Sequence, residues 1–593
     1  MTPIRRRIRP SPVAILLMCF IALGLTYSFT TPLFEGPDES GHFQYVAYLA
    51  KGNGLPIQPF SRAQIAVGEG HQPPLYYAMS ALLTFWIDNS NLPSIYRQNP
   101  AFVWSGQGKE PNLVLHTAAE AFPFRGAALT MHVARALSVL LGAVTVWGTF
   151  RLGQLITRRT VVAWGAAALV AFNPQFLFIS GVVNNEAAVV AFTTLALLMQ
   201  ATILLEGRSR RRATWLGVWL GLALLSKPSS LGLGPLTLLA MIAVAIRERS
   251  WRALHEMVLW IGLPVMLISG WWFLRNQILY GDPLGYQMFL ATHPDFTPMD
   301  FGQLASWQSF AEVMHRSFWG QFGWMVIRLP RTIYDALTGL YLFAALGALV
   351  GLLWRREMTP SAIRISAGWV LLALASLMVL GWALNYTRLL GAFGLQGRYL
   401  FTAIAAIAVL LVSGISAIVP DRWRGAPVGV ITGGLALLAV SVPGQYIAPA
   451  YRYFTLPESA LASVPHLLDG TFSSEIALAG YRLEQQTGAI ALTLYWRAQG
   501  TPPETYKVFI HVVNTEDRLC GQRDALPQDG AFLMSYWRVG DVIEDAHHVP
   551  VDSACCAGGD CRLNVGLYRE DTGERLLYSV NGRPVLDHVV IQP

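Results

Sequence analysis

Residues 161–205 read VVAWGAAALVAFNPQFLFISGVVNNEAAVVAFTTLALLMQATILL, and Glu186 is the one charged residue among them. A membrane-spanning helix needs about 20 largely apolar residues. This stretch therefore holds two, 161–182 and 187–205, joined through Asn184-Asn185-Glu186. Arg158-Arg159 stands before it and Arg208 to Arg212 after it. Working outward, apolar runs separated by short connectors recur at 12–31, 131–154, 213–226, 230–247, 255–273, 333–353, 363–384, 399–419 and 427–447. Eleven spans are predicted, with Lys227-Pro228 interrupting the stretch 213–247.

Composition excludes the competing classes. Of 593 residues, 53% are apolar and 13% charged, with a mean hydropathy of +0.41. Soluble proteins are about 25% charged, and a single water-soluble core stops growing near about 250–300 residues. The 28 Phe, 21 Tyr and 19 Trp are too many for a disordered chain. What remains is a polytopic membrane protein.

Charge is divided unevenly. From Leu456 onward there are 18 acidic and 10 basic residues, against 18 acidic and 33 basic before it. The basic excess lies between apolar runs, which argues against nucleic-acid binding. The connectors Arg158-Arg159, Arg208 to Arg212, Arg247 to Arg252, Arg355-Arg356 and Arg422 to Arg424 share one side only if the N-terminus is cytoplasmic. The first run follows Arg5, Arg6, Arg7 and Arg9 and resembles a signal peptide. Its length and lack of a small-residue cleavage site favour a retained anchor. Loops 32–130, 274–332 and 385–398, and the chain from about 450, then fall outside.

The tail changes from helix-like to strand-like periodicity. Residues 490–496, 506–513, 564–568 and 586–591 alternate or are β-branched, and Asp529-Gly530, Gly558-Gly559 and Asn581-Gly582 are turn signals. An all-β sandwich of about 125–140 residues is predicted. It carries Cys520, Cys555, Cys556 and Cys561, read as disulfides of unassigned pairing, with zinc as the alternative. Trp496, Tyr536 and Trp537 are either sugar-stacking residues or core.

Ionisable groups at membrane depth are costly and invite a functional reading; nearly all fall at the outer mouth. Glu35-Gly36-Pro37-Asp38-Glu39-Ser40-Gly41-His42 follows the first span. With Gly36 as N-cap and Pro37 leading, Asp38 and Glu39 lie in a first helical turn, and His42 shares the face of Asp38. Such a carboxylate accepts a proton from a hydroxyl or holds a divalent metal; the plain alternative is helix capping. His71, in His71-Gln72-Pro73-Pro74-Leu75-Tyr76-Tyr77, suits a phosphate, a metal or simple interfacial anchoring. Asn185 and Glu186 form either a wet turn or a second carboxylate site, so Asp38 and Glu186 are the candidate ligands of a Mg or Mn ion. Lys227, Arg275 and Arg398 are cations at one membrane level, able to clamp a lipid phosphate or to snorkel. Asn173-Pro174-Gln175 breaks a spanning helix. Ser317-Phe318-Trp319-Gly320-Gln321-Phe322-Gly323-Trp324 suits a sugar- or polyprenyl-binding surface or an aromatic belt.

An acidic pair after the first helix, a His-x-Pro-Pro-Leu-Tyr-Tyr element, a Lys-Pro at a helix end and Gln396-Gly397-Arg398-Tyr399 before a late helix resemble the GT-C superfamily of integral-membrane glycosyltransferases. The likeness covers about 30–450 and is nearest to a bacterial polytopic branch distantly akin to protein O-mannosyltransferases and aminoarabinose transferases. It implies a GT-C-like domain over 12–450, preceded by a cytoplasmic basic segment 1–11 and followed by an extracytoplasmic β-sandwich, 451–593. It further implies a polyprenyl-phosphate sugar donor and a glycan, lipid or protein acceptor. Asp38 would act as base or acceptor ligand, Glu39 would share its contacts, and Glu186 would be the later acidic residue. Lys227, Arg275 and Arg398 would bind the donor phosphate. Many relatives carry Asp where Glu186 stands. A flippase-type transporter and a glycan-binding scaffold are the rival readings; a transporter puts its charges near the bilayer midplane, often in inverted repeats.

Overall fold

The computed structural model describes residues 11–61, 67–103, 110–353, 360–556 and 561–592. The basic segment up to Arg9, the connector Arg355-Arg356 and the turn Gly558-Gly559 lie outside these residues. The chain divides into two compact units, 1–89 with 102–111 and 126–451, and 90–101 with 112–125 and 452–593.

The first unit is helical. Ser11 opens helix Pro12–Thr30 by accepting the Ala14 N–H at 3.3 Å, with Pro12 at the first helical position. Among the described residues, nine helices are long and apolar enough to cross a membrane. A tenth forms if Thr160–Ala171 and Pro174–Ser180, bent by 60° at Asn173, count as one span. The expected eleven are thus reduced by length: the candidate 213–226 becomes helix Arg210–Leu224, 15 residues or about 22 Å, short of a hydrocarbon core of about 30 Å. It nonetheless runs beside both Glu186–Glu206 and Trp251–Val265, and Lys227 just past its end pairs with Glu186. It therefore returns the chain to the level from which the preceding helix set out.

The basic connectors gather at the opposite end. Arg208 pairs with Glu248 at 2.6 Å and Glu256 at 2.7 Å, and Arg159 lies 3.7 Å from Asp421. Small residues let these helices approach closely. A Cβ on Gly148 would meet Thr194 at 2.7 Å, and one on Gly153 the Ala163 backbone at 2.9 Å.

The second unit is a two-sheet stack. Its strands are β1 (His466–Thr471), β2 (Ile476–Gln486), β3 (Ala489–Ala498), β4 (Lys507–Val513), β5 (Leu519–Ala525), β6 (Val542–Pro550), β7 (Arg562–Tyr568), β8 (Tyr578–Val580), β9 (Arg583–Leu586) and β10 (Val589–Ile591). One sheet runs β9-β8-β1-β2-β3-β6 and the other β10-β7-β4-β5, antiparallel throughout. Alternation decides the core: Ile490, Leu492, Leu494 and Trp496 from β3 meet Val508, Ile510 and Val512 from β4. Trp496 and Trp537 are fully buried, so they are core rather than sugar platforms. The run 586–591 is not one strand; it divides between the two sheets at Asp587-His588. Asn581 and Gly582, at φ 52° and 73°, turn β8 into β9, a conformation that Asn-Gly favours.

The cysteines pair as Cys520–Cys555 and Cys556–Cys561. Two pieces of the first long loop also belong to this unit, which sequence periodicity does not reveal. Arg97 donates to Asp541 at 2.7 Å, and Asn112 donates to the Arg452 carbonyl at 2.9 Å.

Candidate functional site

The first helix delivers the chain to a tightly held turn. Helix Glu39–Ala50 starts two residues later than the capping argument expects, and Asp38 is its N-cap, at φ 61° with no side-chain cap bond. A non-glycine residue in this left-handed region costs energy and persists only where its surroundings impose it. Here the result is a carboxylate freed from capping. Asp38 Oδ2 accepts from Arg398 Nη2 at 2.7 Å. The Asp38 side chain keeps 41% of its surface accessible although protein packs around it, which describes a group lining a recess.

Glu39 does something else, and its expected catalytic place is corrected. Its carboxylate accepts from Arg135 Nε at 2.8 Å and Nη2 at 2.7 Å, and from the Val183 N–H at 2.7 Å. Glu39 and Arg135 are both fully buried. Every strong acceptor direction on Glu39 is spent on holding the turn, so it faces away from the recess.

The second carboxylate arrives through Asn184. Its Oδ1 accepts the Glu186 N–H at 2.8 Å, while its amide donates to the Ile179 carbonyl at 2.9 Å. Both Asn185 and Glu186 are buried, so this is no wet turn. Glu186 pairs with Lys227, and Asn185 donates to the Ser226 carbonyl at 3.1 Å and to Gln72 at 3.3 Å. Lys227 Nζ and Arg398 Cζ each lie 5.6 Å from the centre of the Tyr399 ring, so one aromatic ring serves both cations.

The structure thus brings Asp38, Glu186, Lys227 and Arg398 together. Arg275 stands apart from the other two cations: its guanidinium donates to the Pro56 carbonyl at 2.7 Å and stacks on Trp272 at 5.0 Å. His42 Nδ1 lies 2.8 Å from the Tyr77 hydroxyl, and His71 packs tilted against Phe289 with ring centres 4.6 Å apart. The aromatic stretch 317–324 is neither a flat binding surface nor a belt. Phe318, Trp319 and Phe322 are buried, and Trp319 donates to Tyr341 at 2.7 Å. Asn173 caps the broken helix by accepting the Phe176 N–H at 3.0 Å and donates to the Phe318 carbonyl at 3.0 Å.

Burial raises the Asp38 pKa, but the positive charges of Arg398 and Lys227 outweigh it and hold the carboxyl below its usual range. Burial pushes His42 and His71 down to about 3, so both are neutral imidazoles at pH 7. Burial, reinforced by the charge of Asp38, pushes Glu69 up to about 8. Glu69 was not singled out from sequence, although Glu69-Gly70-His71 places it beside a candidate. Arg135 was missed too, and its signal was plain: a cation inside the apolar run 131–154, well ahead of Arg151 near the end of that run.

The donor set tests the expected metal. A divalent ion between Asp38 and Glu186 is drawn by uncompensated negative charge, yet Arg398 and Lys227 each already neutralise one carboxylate. Two carboxylates with two bound cations do not fit a Mg or Mn site.

Residues 125–272 match the family model of dolichyl-phosphate-mannose-protein mannosyltransferases. The matched stretch carries Arg135, Glu186 and Lys227; Asp38 and Arg398 lie outside it. The chain is a polytopic membrane protein with a strand-rich C-terminal unit. No curated protein matches it. Among solved structures, it is similar to the S. cerevisiae protein O-mannosyltransferase Pmt1-Pmt2 complex bound to the sugar donor, at 18% identity and TM-score 0.30. That likeness covers 46% of this chain, which spans about a third (35%) of the yeast chain. ArnT from Cupriavidus metallidurans is similar in the apo state, at 14% identity and TM-score 0.32, over 73% of this chain and 80% of that one. The same protein bound to undecaprenyl phosphate gives 14% and 0.32, over 72% and 79%.

Proposed function

We propose that this protein is a glycosyltransferase that moves a sugar from a polyprenyl-phosphate carrier to a hydroxyl of an acceptor outside the cytoplasmic membrane. The observation that carries the reading is the convergence of Asp38, Glu186, Lys227 and Arg398 around Tyr399. These residues follow the first helix, start one helix, end another and start a late one. An even number of helical passages separates each from the next, so all four meet at one face of the bundle. We place that face outside, because the basic connectors gather at the other end.

The charges suit the reaction. Two cations and two carboxylates balance, His42 and His71 are neutral, and Glu69 carries its proton at pH 7. A phosphodiester entering with one negative charge meets Lys227 and Arg398 as its nearest donors. Sharing Arg398 with the phosphate loosens its hold on Asp38 and makes that carboxylate a better base. Asp38 then takes the acceptor's hydroxyl proton as the oxygen attacks the anomeric carbon. The bond from that carbon to the phosphate oxygen breaks, and its electron pair leaves on polyprenyl phosphate, where the fixed cations stabilise the developing charge. A single displacement inverts the anomeric centre. Glu39 and Arg135 act through the turn they hold.

Purified protein incubated with a panel of polyprenyl-phosphate sugars is expected to release polyprenyl phosphate from at least one. Asp38→Asn is expected to lower that release by 10²-fold or more, the usual weight of a general base, while folded protein remains abundant in the membrane. Undiminished release from Asp38→Asn removes Asp38 from the mechanism.

A further inference from the structure

A recess of 390 Å³ opens between the end of helix Pro360–Leu390 and the loop that follows helix Tyr286–Thr292, and none of the carboxylates described above lines it. Its size falls in the range of small-ligand sites, about 300–1,000 Å³. The loop is fastened to the helix end on both sides. The Met299 N–H donates to the Arg388 carbonyl at 3.0 Å, and Gly391 lies so close to the Thr297 carbonyl that any Cβ would collide with it.

Two opposite charges line this recess without pairing. Arg388 is exposed, and its guanidinium makes no hydrogen bond or ion pair among the described residues. Asp300 accepts the Gly302 N–H at 2.8 Å and the Gln303 amide at 3.2 Å, which fixes its direction but brings it no cation. Asn385 lies on the same wall. The remaining walls are apolar, Phe301 and Leu384. Leu380 and Leu377 continue the Leu384 row down the helix at three- and four-residue spacing, both exposed. In a spanning helix that row faces acyl chains.

We propose that this recess binds the headgroup of a phosphoethanolamine phospholipid: phosphate on Arg388, ammonium on Asp300 and one acyl chain along Leu384, Leu380 and Leu377. The two charges select among headgroups. A choline headgroup has no N–H to donate to Asp300. A glycerol headgroup brings no cation and leaves Asp300 facing the phosphate. The ethanolamine ammonium has three donors. Phe301 and Leu384 also pack in one apolar cluster with Tyr399, so a lipid seated here stiffens the wall behind the ring shared by Lys227 and Arg398.

The test uses the full-length protein extracted from membranes and exchanged into bilayer discs of phosphatidylethanolamine, phosphatidylcholine or phosphatidylglycerol. Native mass spectrometry then counts the lipids retained on release. The expected result is about tenfold preferential retention of one phosphatidylethanolamine over the other two, the equivalent of one charge-assisted hydrogen bond. Asp300→Asn and Arg388→Gln are each expected to abolish the preference, and Asn385→Ala to reduce it. Equal retention of ethanolamine and choline lipids overturns the proposal. So does a preference for phosphatidylglycerol, or variants that retain phosphatidylethanolamine as the wild type does.

Discussion

Arg135 and Glu39 form a buried pair in which all five guanidinium hydrogen bonds are made. Two go to the carboxylate, at 2.8 and 2.7 Å, and three to the carbonyls of Ser28, Thr31 and Pro32, at 2.7, 2.8 and 2.9 Å. Glu39 also takes the Val183 N–H, three residues before Glu186. One ion pair thus ties the end of the first helix, the turn bearing Asp38 and the turn bearing Glu186. Removing one partner leaves a charge buried and unpaired, at about 3–5 kcal/mol. Arg135→Ala and Glu39→Ala are each expected to lower the melting temperature and the yield of folded protein. Glu39→Met combined with Arg135→Met is expected to recover much of the stability but not the transfer activity. Thermal melting of the detergent-solubilised variants, with release of polyprenyl phosphate measured in parallel, separates the two effects.

This pair also marks how far sequence carries. The membrane class, the spans and the strand-rich tail were legible because hydropathy and period are local properties. The convergence of Asp38 with Arg398 was legible only as a consequence of topology, since 359 positions separate them along the chain (398 − 38 − 1). Glu39 was misread because adjacent residues of a first turn look alike in sequence. Here a left-handed Asp38 sends the two carboxylates to opposite sides. Arg275 was misread because the carbonyl that holds it, on Pro56, belongs to a distant loop.

Chelation is expected to leave transfer unchanged. Arg398 and Lys227 already stand where a divalent ion between Asp38 and Glu186 would be needed. Assays with excess EDTA, and with added Mg or Mn, check this by comparing initial rates. A loss of more than about tenfold on chelation, restored by one metal, contradicts the assignment.

The two disulfides differ in the length of chain they close. Cys520–Cys555 spans 35 residues and Cys556–Cys561 spans 5. In the chain-entropy account these restrict the unfolded state by about 3.8 and about 2 kcal/mol respectively. Replacing Cys520 and Cys555 together by Ser is expected to lower the melting of the second unit more than replacing Cys556 and Cys561. Differential scanning calorimetry of the full chain compares them.

The pH dependence follows from Glu69 and Asp38. Asp38 titrates below the usual carboxylate range, so it remains a base throughout neutral pH and imposes no acidic limb there. Glu69, raised to about 8 by burial and then by the charge of Asp38, is protonated below that pH and negative above it. Above about 8 the recess gains a negative charge where a phosphodiester has to bind. KM for the donor is therefore expected to rise on the alkaline side, approaching tenfold per pH unit if only the protonated form binds. The kcat of the bound complex should change far less. Glu69→Gln, neutral at every pH, is expected to abolish the alkaline rise and leave KM at pH 7 near the wild-type value. Steady-state kinetics of both proteins from pH 6 to about 9.5 decide it, and a rise that persists in Glu69→Gln assigns the alkaline limb to another group.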